Sequence, residues 1–270
     1  MVTPYPVMER SGTRSVPPGE ELTTMNARVG LIIPSSNRMV EQEMVRAFPD
    51  GVHPHITRLR MTGPNRMGHD QLIPRVEEAT RALADAKCDV VAFHCTANSM
   101  EEGQEGEARI LATVAGSGAR HATTTATAIR RALAALGARK MVLITPYSQA
   151  TTDHEAEFLK AAGYEVIYGK GYDLAGSDAY CATPPQVWRD RALAAARPDA
   201  DVYFLSCANI QVFGIIEELE AKLGKPVITS NQTVVWDALV RLGWSDRRGC
   251  PGRLFATAAV ADAAPAAQPA

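Results

Sequence analysis

Nothing in this chain approaches the ~18 consecutive apolar residues that a membrane crossing needs. Its first 26 residues hold Pro4, Pro6, Pro17 and Pro18 among mixed charges, with no apolar core of signal-peptide length. A cytoplasmic location is therefore expected. An excess of one charge is missing too: 28 Lys and Arg stand against 30 Asp and Glu, for a net charge of −2, and the basic residues are dispersed. Such a chain has no electrostatic footprint for nucleic acid or an anionic membrane. No CxxC pair occurs. The five cysteines, at 88, 95, 181, 207 and 250, are irregularly spaced and odd in number, so they read as free thiols rather than as a disulfide framework or a zinc ribbon. GxGxxG after a strand, the P-loop, HExxH and GxSxG are also absent, and with them nucleotide, zinc-protease and serine-hydrolase chemistry. The expected partner is a small molecule, with no nucleic acid, membrane or metal; a homo-oligomer is expected.

What is present is an ordinary globular composition, 46% hydrophobic and 21% charged, arranged as short apolar runs alternating with helical stretches. Strands are predicted at 29–33, 56–61, 89–94, 141–145, 165–168, 201–206 and 226–229. Several are continuous apolar runs, as in strands covered on both faces. Helices are predicted at 71–86, 126–136, 152–162, 185–196, 213–223 and 233–242, several closing at a glycine: Gly137, Gly163, Gly224 and Gly243.

An internal repeat sets the architecture. The segment ending Pro34-Ser35-Ser36-Asn37 matches the one ending Pro146-Tyr147-Ser148-Gln149, and the segment through Cys95 matches the one through Cys207; both pairs are 112 residues apart. A third pair, Thr123 to Thr127 and Thr229 to Thr233, has spacing 106. The reading is an α/β fold of two Rossmann-like α/β/α domains with parallel sheets, related by pseudo-twofold symmetry, with the active site in the cleft between them. Ligands of open α/β sheets bind at the carboxyl ends of the strands, where these loops lie. The predicted divisions are a flexible arm at 1–26, a first domain of 27–122 plus 230–255, a second of 123–229, and a disordered tail at 256–270.

Cys95 and Cys207 each end a buried strand and precede small polar residues. Nearby N–H groups and a helix terminus are expected to lower their pKa. Inert packing is the common role of a buried cysteine, but repeat-related placement at two strand ends favours chemistry. Asn37, Ser36, Tyr147 and Ser148 are candidate donors to a substrate carboxylate; for Ser35 and Ser148, helix capping is an equal alternative. Thr96 and Asn98 after the first thiol, and Ala208 and Asn209 after the second, are further candidates, with Thr124, Thr125, Ser230 and Asn231 resembling them in position. His94 precedes Cys95 and so points to the opposite face of its strand, a structural role. His53 and His55 form an H-x-H pair with no third ligand and read as an exposed strand edge. Glu101, Glu102, Glu105 and Glu107 read as a solvated helix face, and Cys88, Cys181 and Cys250 as non-catalytic.

These motifs resemble the aspartate/glutamate racemase superfamily, and within it the branch of maleate cis-trans isomerase and arylmalonate decarboxylase. The markers are Pro34-Ser35-Ser36-Asn37, Cys95-Thr96, Thr145-Pro146-Tyr147 and Ser206-Cys207, and the resemblance covers about 28–244. It implies paired Rossmann-like domains, no cofactor, and a carboxylate held by neutral donors between two positions that are each cysteine or something small. Racemases of this kind use both cysteines to move an α-proton; maleate isomerase-like members use one to add to the alkene. Decarboxylase-like members keep only the second and have glycine at the first, so Cys95 argues against them. Asn37 and Tyr147 carry over as substrate-binding residues. The expected activity is a cis-trans isomerase of maleate or a related unsaturated dicarboxylate. The alternatives are a two-cysteine racemase, an arylmalonate-type decarboxylase, and a non-catalytic carboxylate-binding module.

Overall fold

The computed structural model describes residues 26–61, 67–116, 118–246 and 249–257. The first half of the chain gives β1 (Ala27–Pro34), α1 (Val40–Ala47), β2 (Val52–Leu59), α2 (His69–Asp85), β3 (Val90–Phe93), α3 (Thr96–Met100), α4 (Gly103–Gly116), β4 (His121–Thr124) and α5 (Thr125–Ala135). Next come β5 (Lys140–Thr145), α6 (Gln149–Ala161), β6 (Glu165–Gly171), α7 (Gly176–Ala182) and α8 (Pro185–Ala194). The chain continues through β7 (Val202–Leu205), α9 (Ile216–Leu223), β8 (Val227–Thr229) and α10 (Ser230–Arg241), with 3-10 turns at Phe213–Ile215 and Arg253–Ala256.

The strands form two parallel four-stranded sheets with one order, β2-β1-β3-β4 and β6-β5-β7-β8. The 112-residue repeat is a repeat of register. Leu31 pairs with Ala92 and Ile32 with Phe93, just as Leu143 pairs with Phe204 and Ile144 with Leu205. Each sheet also begins with the same clamp: Asp89 accepts the Arg28 N–H at 2.9 Å, and Asp201 accepts that of Lys140 at 2.8 Å. Both halves therefore carry their strand ends to matching positions.

Alternation along the central strands sorts the apolar side chains onto two faces. Val29, Leu31 and Ile33, with Met141 and Leu143, turn into one core shared by both halves and filled by α5 and α10. Ile32, Val91 and Phe93 pack outward against α2 and α4; Val142, Ile144, Tyr203 and Leu205 pack outward against α8 and α9. Within the shared core, Asp237 of α10 is fully buried between Arg131 and Arg241, at 2.6 and 2.9 Å, and also accepts the Thr123 hydroxyl.

The predicted elements differ from the structure in a few places, each with a physical cause. β2 begins at Val52 rather than at 56, because it is an edge strand where Pro54 interrupts no ladder. His53 and His55 lie on that edge. β4 and α1 escaped the apolar count because β4 is two threonines after His121 and Ala122, and α1 is half polar. The matching helix caps are Thr124 and Thr229, one residue out of the register read from the sequence. Glu107 is not on a solvated face: it is buried, bonded to Thr124, Thr127 and Arg130. Cys181, read as non-catalytic, is on α7. All four helix-ending glycines have left-handed φ. The arm at 1–25 and the tail from 258 lie outside the described residues; Ala256 itself closes a 3-10 turn.

At Gly171 the backbone leaves no room for a side chain. A Cβ there would stand 2.7 Å from the carbonyl oxygens of both Tyr147 and Ser148 and 2.6 Å from Thr152 Oγ1. Gly171→Ala is expected to destabilise the protein by roughly 1–3 kcal/mol, read as a lower thermal midpoint. Gly169→Ala, whose Cβ would make ordinary contacts from 3.5 Å outward, is expected to melt close to the wild type.

Candidate active site

In each sheet the chain leaves β1 and β3, or β5 and β7, toward opposite sides, and a crevice opens at their carboxyl ends. The two crevices face each other and merge into one cavity of about 480 Å³, within the range of small-molecule sites. Every residue singled out for the site lines it: Ser36 and Asn37 after β1, Cys95, Thr96 and Asn98 after β3, Tyr147 after β5, and Cys207, Ala208 and Asn209 after β7. Ser148 lines it as well. Thr124, Thr125, Ser230 and Asn231 do not.

Cys95 ends its strand in an extended conformation and caps α3, its thiol 3.6 Å from Asn98 Oδ1. Cys207 is buried with φ +148°, a region that side-chain-bearing residues rarely occupy. The surroundings fix it there. Its N–H donates to Ser230 Oγ at 3.1 Å, and the Asn209 N–H donates to its Sγ at 3.3 Å. The Tyr147 hydroxyl also hydrogen-bonds the Cys207 sulfur. Such local strain is stored at functional sites more often than elsewhere.

Neither thiol has the lowered pKa expected from its neighbours. Burial pushes Cys95 up to about 11, opposed only in part by the Asn98 backbone. It pushes Cys207 up to about 12 against hydrogen bonds from Tyr147 and Asn209. The α3 terminus serves Cys95 alone, since a turn rather than a helix follows Cys207. Desolvation outweighs these donors, and both cysteines rest as neutral thiols.

Asn37 does two jobs. Its Oδ1 accepts the N–H groups of Met39 and Val40, each at 3.0 Å, opening α1. Its Nδ2 crosses the cavity to the Ala208 carbonyl at 2.8 Å. Arg38 N–H reaches Asn209 Oδ1 at 2.9 Å beside it, and Thr96 Oγ1 donates to Ser230 Oγ at 2.9 Å on the far side. Ser148 caps α6 through Thr151. His94 turns away from the cavity, as expected. It is fully buried, with Nδ1 2.9 Å from Thr125 Oγ1 and Nε2 donating to Asn231 Oδ1 at 2.8 Å.

One part of the wall escaped the sequence. Asp173, Leu174, Ala175, Gly176, Ser177 and Tyr180 line the cavity from the connection after β6. This segment is laid on the Tyr147 loop by Asp173 N–H to the Tyr147 carbonyl at 2.8 Å and Leu174 N–H to that of Pro146 at 2.9 Å. It has no apolar period; the available signal was its position after a strand. Among the described residues lining the cavity, Asp173 is the only charged one. No group of three or more potential metal ligands occurs among the described residues, and no helix there is long and apolar enough to cross a membrane.

The family model for arylmalonate decarboxylase matches residues 29–255. The chain belongs to the arylmalonate decarboxylase family. That family sits in the branch of the aspartate/glutamate racemase superfamily that includes maleate isomerases. An arylmalonate decarboxylase of Bordetella bronchiseptica is 29% identical over 232 residues, covering 84% of this chain and 95% of its own. A maleate isomerase of Geobacillus stearothermophilus is 28% identical over 232 residues, covering 80% and 91%. Among solved structures, a cysteine-to-alanine variant of the maleate isomerase of Pseudomonas putida S16 with maleate superposes with a TM-score of 0.77 at 25% identity, covering 86% of this chain and 98% of that one. Both activities thus occur among relatives of near-equal similarity.

Burial holds His94 neutral, its pKa lowered to about 4, against about 6.5 in an unfolded chain. The unfolded state therefore takes up the proton first as pH falls. The contribution of His94 is complete above about pH 6.5 and is lost as pH drops through about 4, a change of roughly 3 kcal/mol. Denaturation midpoints measured from pH 7 to pH 4 are expected to fall more steeply in the wild type than in His94→Gln. The comparison is needed because Glu43, raised by burial, contributes with the opposite sign.

Proposed function

We propose that this protein is a cofactor-independent isomerase that works with Cys95 and Cys207 on a small carboxylic acid, and that its substrate class is maleate or a related unsaturated dicarboxylate. The observation that carries this reading is the placement of two thiols, one from each half, on the same small cavity at matching strand ends. A decarboxylase that only protonates a carbanion has work for one.

The resting neutrality of both thiols suits the chemistry. The sulfur of one cysteine bonds to an alkene carbon while its proton passes to the other cysteine, which delivers its own proton to the neighbouring carbon. The net event is addition of S–H across the double bond, with no change in charge. The former double bond then rotates, and the reverse steps release the trans acid and restore both thiols. Charge that develops on the carboxylate meets neutral donors: the N–H groups opening α3, the Asn37 amide and the Tyr147 hydroxyl.

Asp173 favours a second reading. A carboxylate in the wall, with no cation beside it in the lining, suits an acid that carries an ammonium group. One thiol would then remove the α-proton and the other return it, making the enzyme a racemase.

Proton NMR in D₂O separates the two. Fumarate appearing from maleate supports the first; deuterium entering Cα of an amino acid without net conversion supports the second. Loss of CO₂ from an arylmalonate would sink both. With the active substrate, Cys207→Ser and Cys95→Ser are each expected to lower kcat by at least about a hundredfold. Substantial turnover in either variant would remove that cysteine from the mechanism.

A further inference from the structure

One buried carboxylate near the thiols has no part in the scheme above. Glu155, on α6, is 1% exposed and accepts a hydrogen bond from Ser206 Oγ at 2.9 Å. Ser206 is itself fully buried and immediately precedes Cys207. Because α6 also packs against α3, the carboxylate stands where the two halves meet. Its charge bears on Cys95, Cys207 and Tyr147 alike, in each case favouring the protonated form.

The repeat gives this position a counterpart. Glu43 and Glu155 are 112 residues apart, the same spacing as the two cysteines. Glu43 accepts Asn231 Nδ2 at 2.8 Å, and Asn231 holds His94, the residue before Cys95. Behind each thiol, then, lies a carboxylate tied to the residue that precedes the cysteine, Glu155 buried and Glu43 half-buried. On the Cys95 side two hydrogen bonds intervene, and Glu43 is further occupied by the N–H groups of Val212 and Phe213, at 2.7 and 3.1 Å. On the Cys207 side there is one.

We propose that Glu155 is a positioning residue of this site: through Ser206 its buried carboxylate fixes the strand end at Cys207 and adds to what burial already does there. The role rests on the two-thiol reading, for which a neutral donor at Cys207 is a requirement. The titratable groups that face Cys207 are Tyr147 from the loop after β5, Tyr180 on α7, Cys95 from the end of β3 and Glu155 on α6. Glu155 is the buried carboxylate of this neighbourhood, Asp173 being an exposed one on the cavity wall beside Tyr180, and no lysine, arginine or histidine lines the cavity among the described residues. A buried negative charge at short range opposes formation of a second one.

The test needs no substrate, so it can fail independently of the isomerase reading. Iodoacetamide modification of Cys207 and Cys95 is followed against pH by peptide mass spectrometry in the wild type, Glu155→Gln, Glu155→Asp and Glu43→Gln. In the wild type the Cys207 midpoint is expected above the ordinary thiol value of about 8.5. Glu155→Gln is expected to lower it by about one unit, so that modification below the midpoint is about tenfold faster. Glu155→Asp should restore the wild-type profile, and Glu43→Gln should leave it in place. An unchanged midpoint in Glu155→Gln, or an equal shift in Glu43→Gln, overturns the proposal. Should Glu155→Gln not fold, an ordinary or lowered Cys207 midpoint in the wild type still overturns the proposal, and a lowered midpoint in Glu155→Ala supports it. Absence of turnover on every acid tested would count against the isomerase and leave these midpoints untouched.

Discussion

The site depends on hydrogen bonds that cross it. Asn37 Nδ2 to the Ala208 carbonyl and the Arg38 N–H to Asn209 join the first loop of one sheet to the thiol loop of the other. Thr96 and Ser230 make a second crossing. Buried neutral bonds of this kind are worth only about 1 kcal/mol each in net stability, but leaving their partners unsatisfied in the same place costs more. They therefore fix the separation of the two strand ends more firmly than they stabilise the fold. The outer crossing differs in kind. Arg38 and Asp178 pair at 2.6 Å in the open, with half or more of each side chain in solvent, and such pairs contribute little.

Beneath these crossings, the strain at Cys207 and the burial of both thiols are linked. The backbone of Cys207 takes its unusual φ with its N–H spent on Ser230. That places the sulfur among Tyr147, Tyr180 and Asn209 rather than in solvent. The same enclosure raises its pKa. A thiol that is hard to ionise is a poor free nucleophile and a serviceable acid, the capacity that the proposed addition asks of one member of the pair.

Much of this was legible in the sequence, for reasons that can be named. The repeat of Asp89 and Asp201, and of Cys95 and Cys207, survived in the chain because each residue is held by a specific bond at a strand start or strand end. The apolar runs of β1, β3, β5 and β7 are covered on both faces and so show no competing period. What stayed hidden depends on distance across the fold. The wall from Asp173 to Tyr180 has no pattern of its own and is placed by its bonds to the Tyr147 loop. The pKa of the thiols is a balance between burial and donors, and residue order displays the donors but not the burial. Glu155 reads as one more charge on a helix until the turn of α6 carries it inward.

The duplication also has a limit. The residue before one thiol is a histidine bound to an asparagine; before the other it is a serine bound to a carboxylate. The backbone frame is nearly symmetric, while the groups behind the two cavity-lining sulfurs are not. The two sulfurs on one cavity therefore stand in unequal surroundings. Unequal roles for two equivalent positions can thus arise from a nearly symmetric frame, through the polar groups buried one layer behind the cavity.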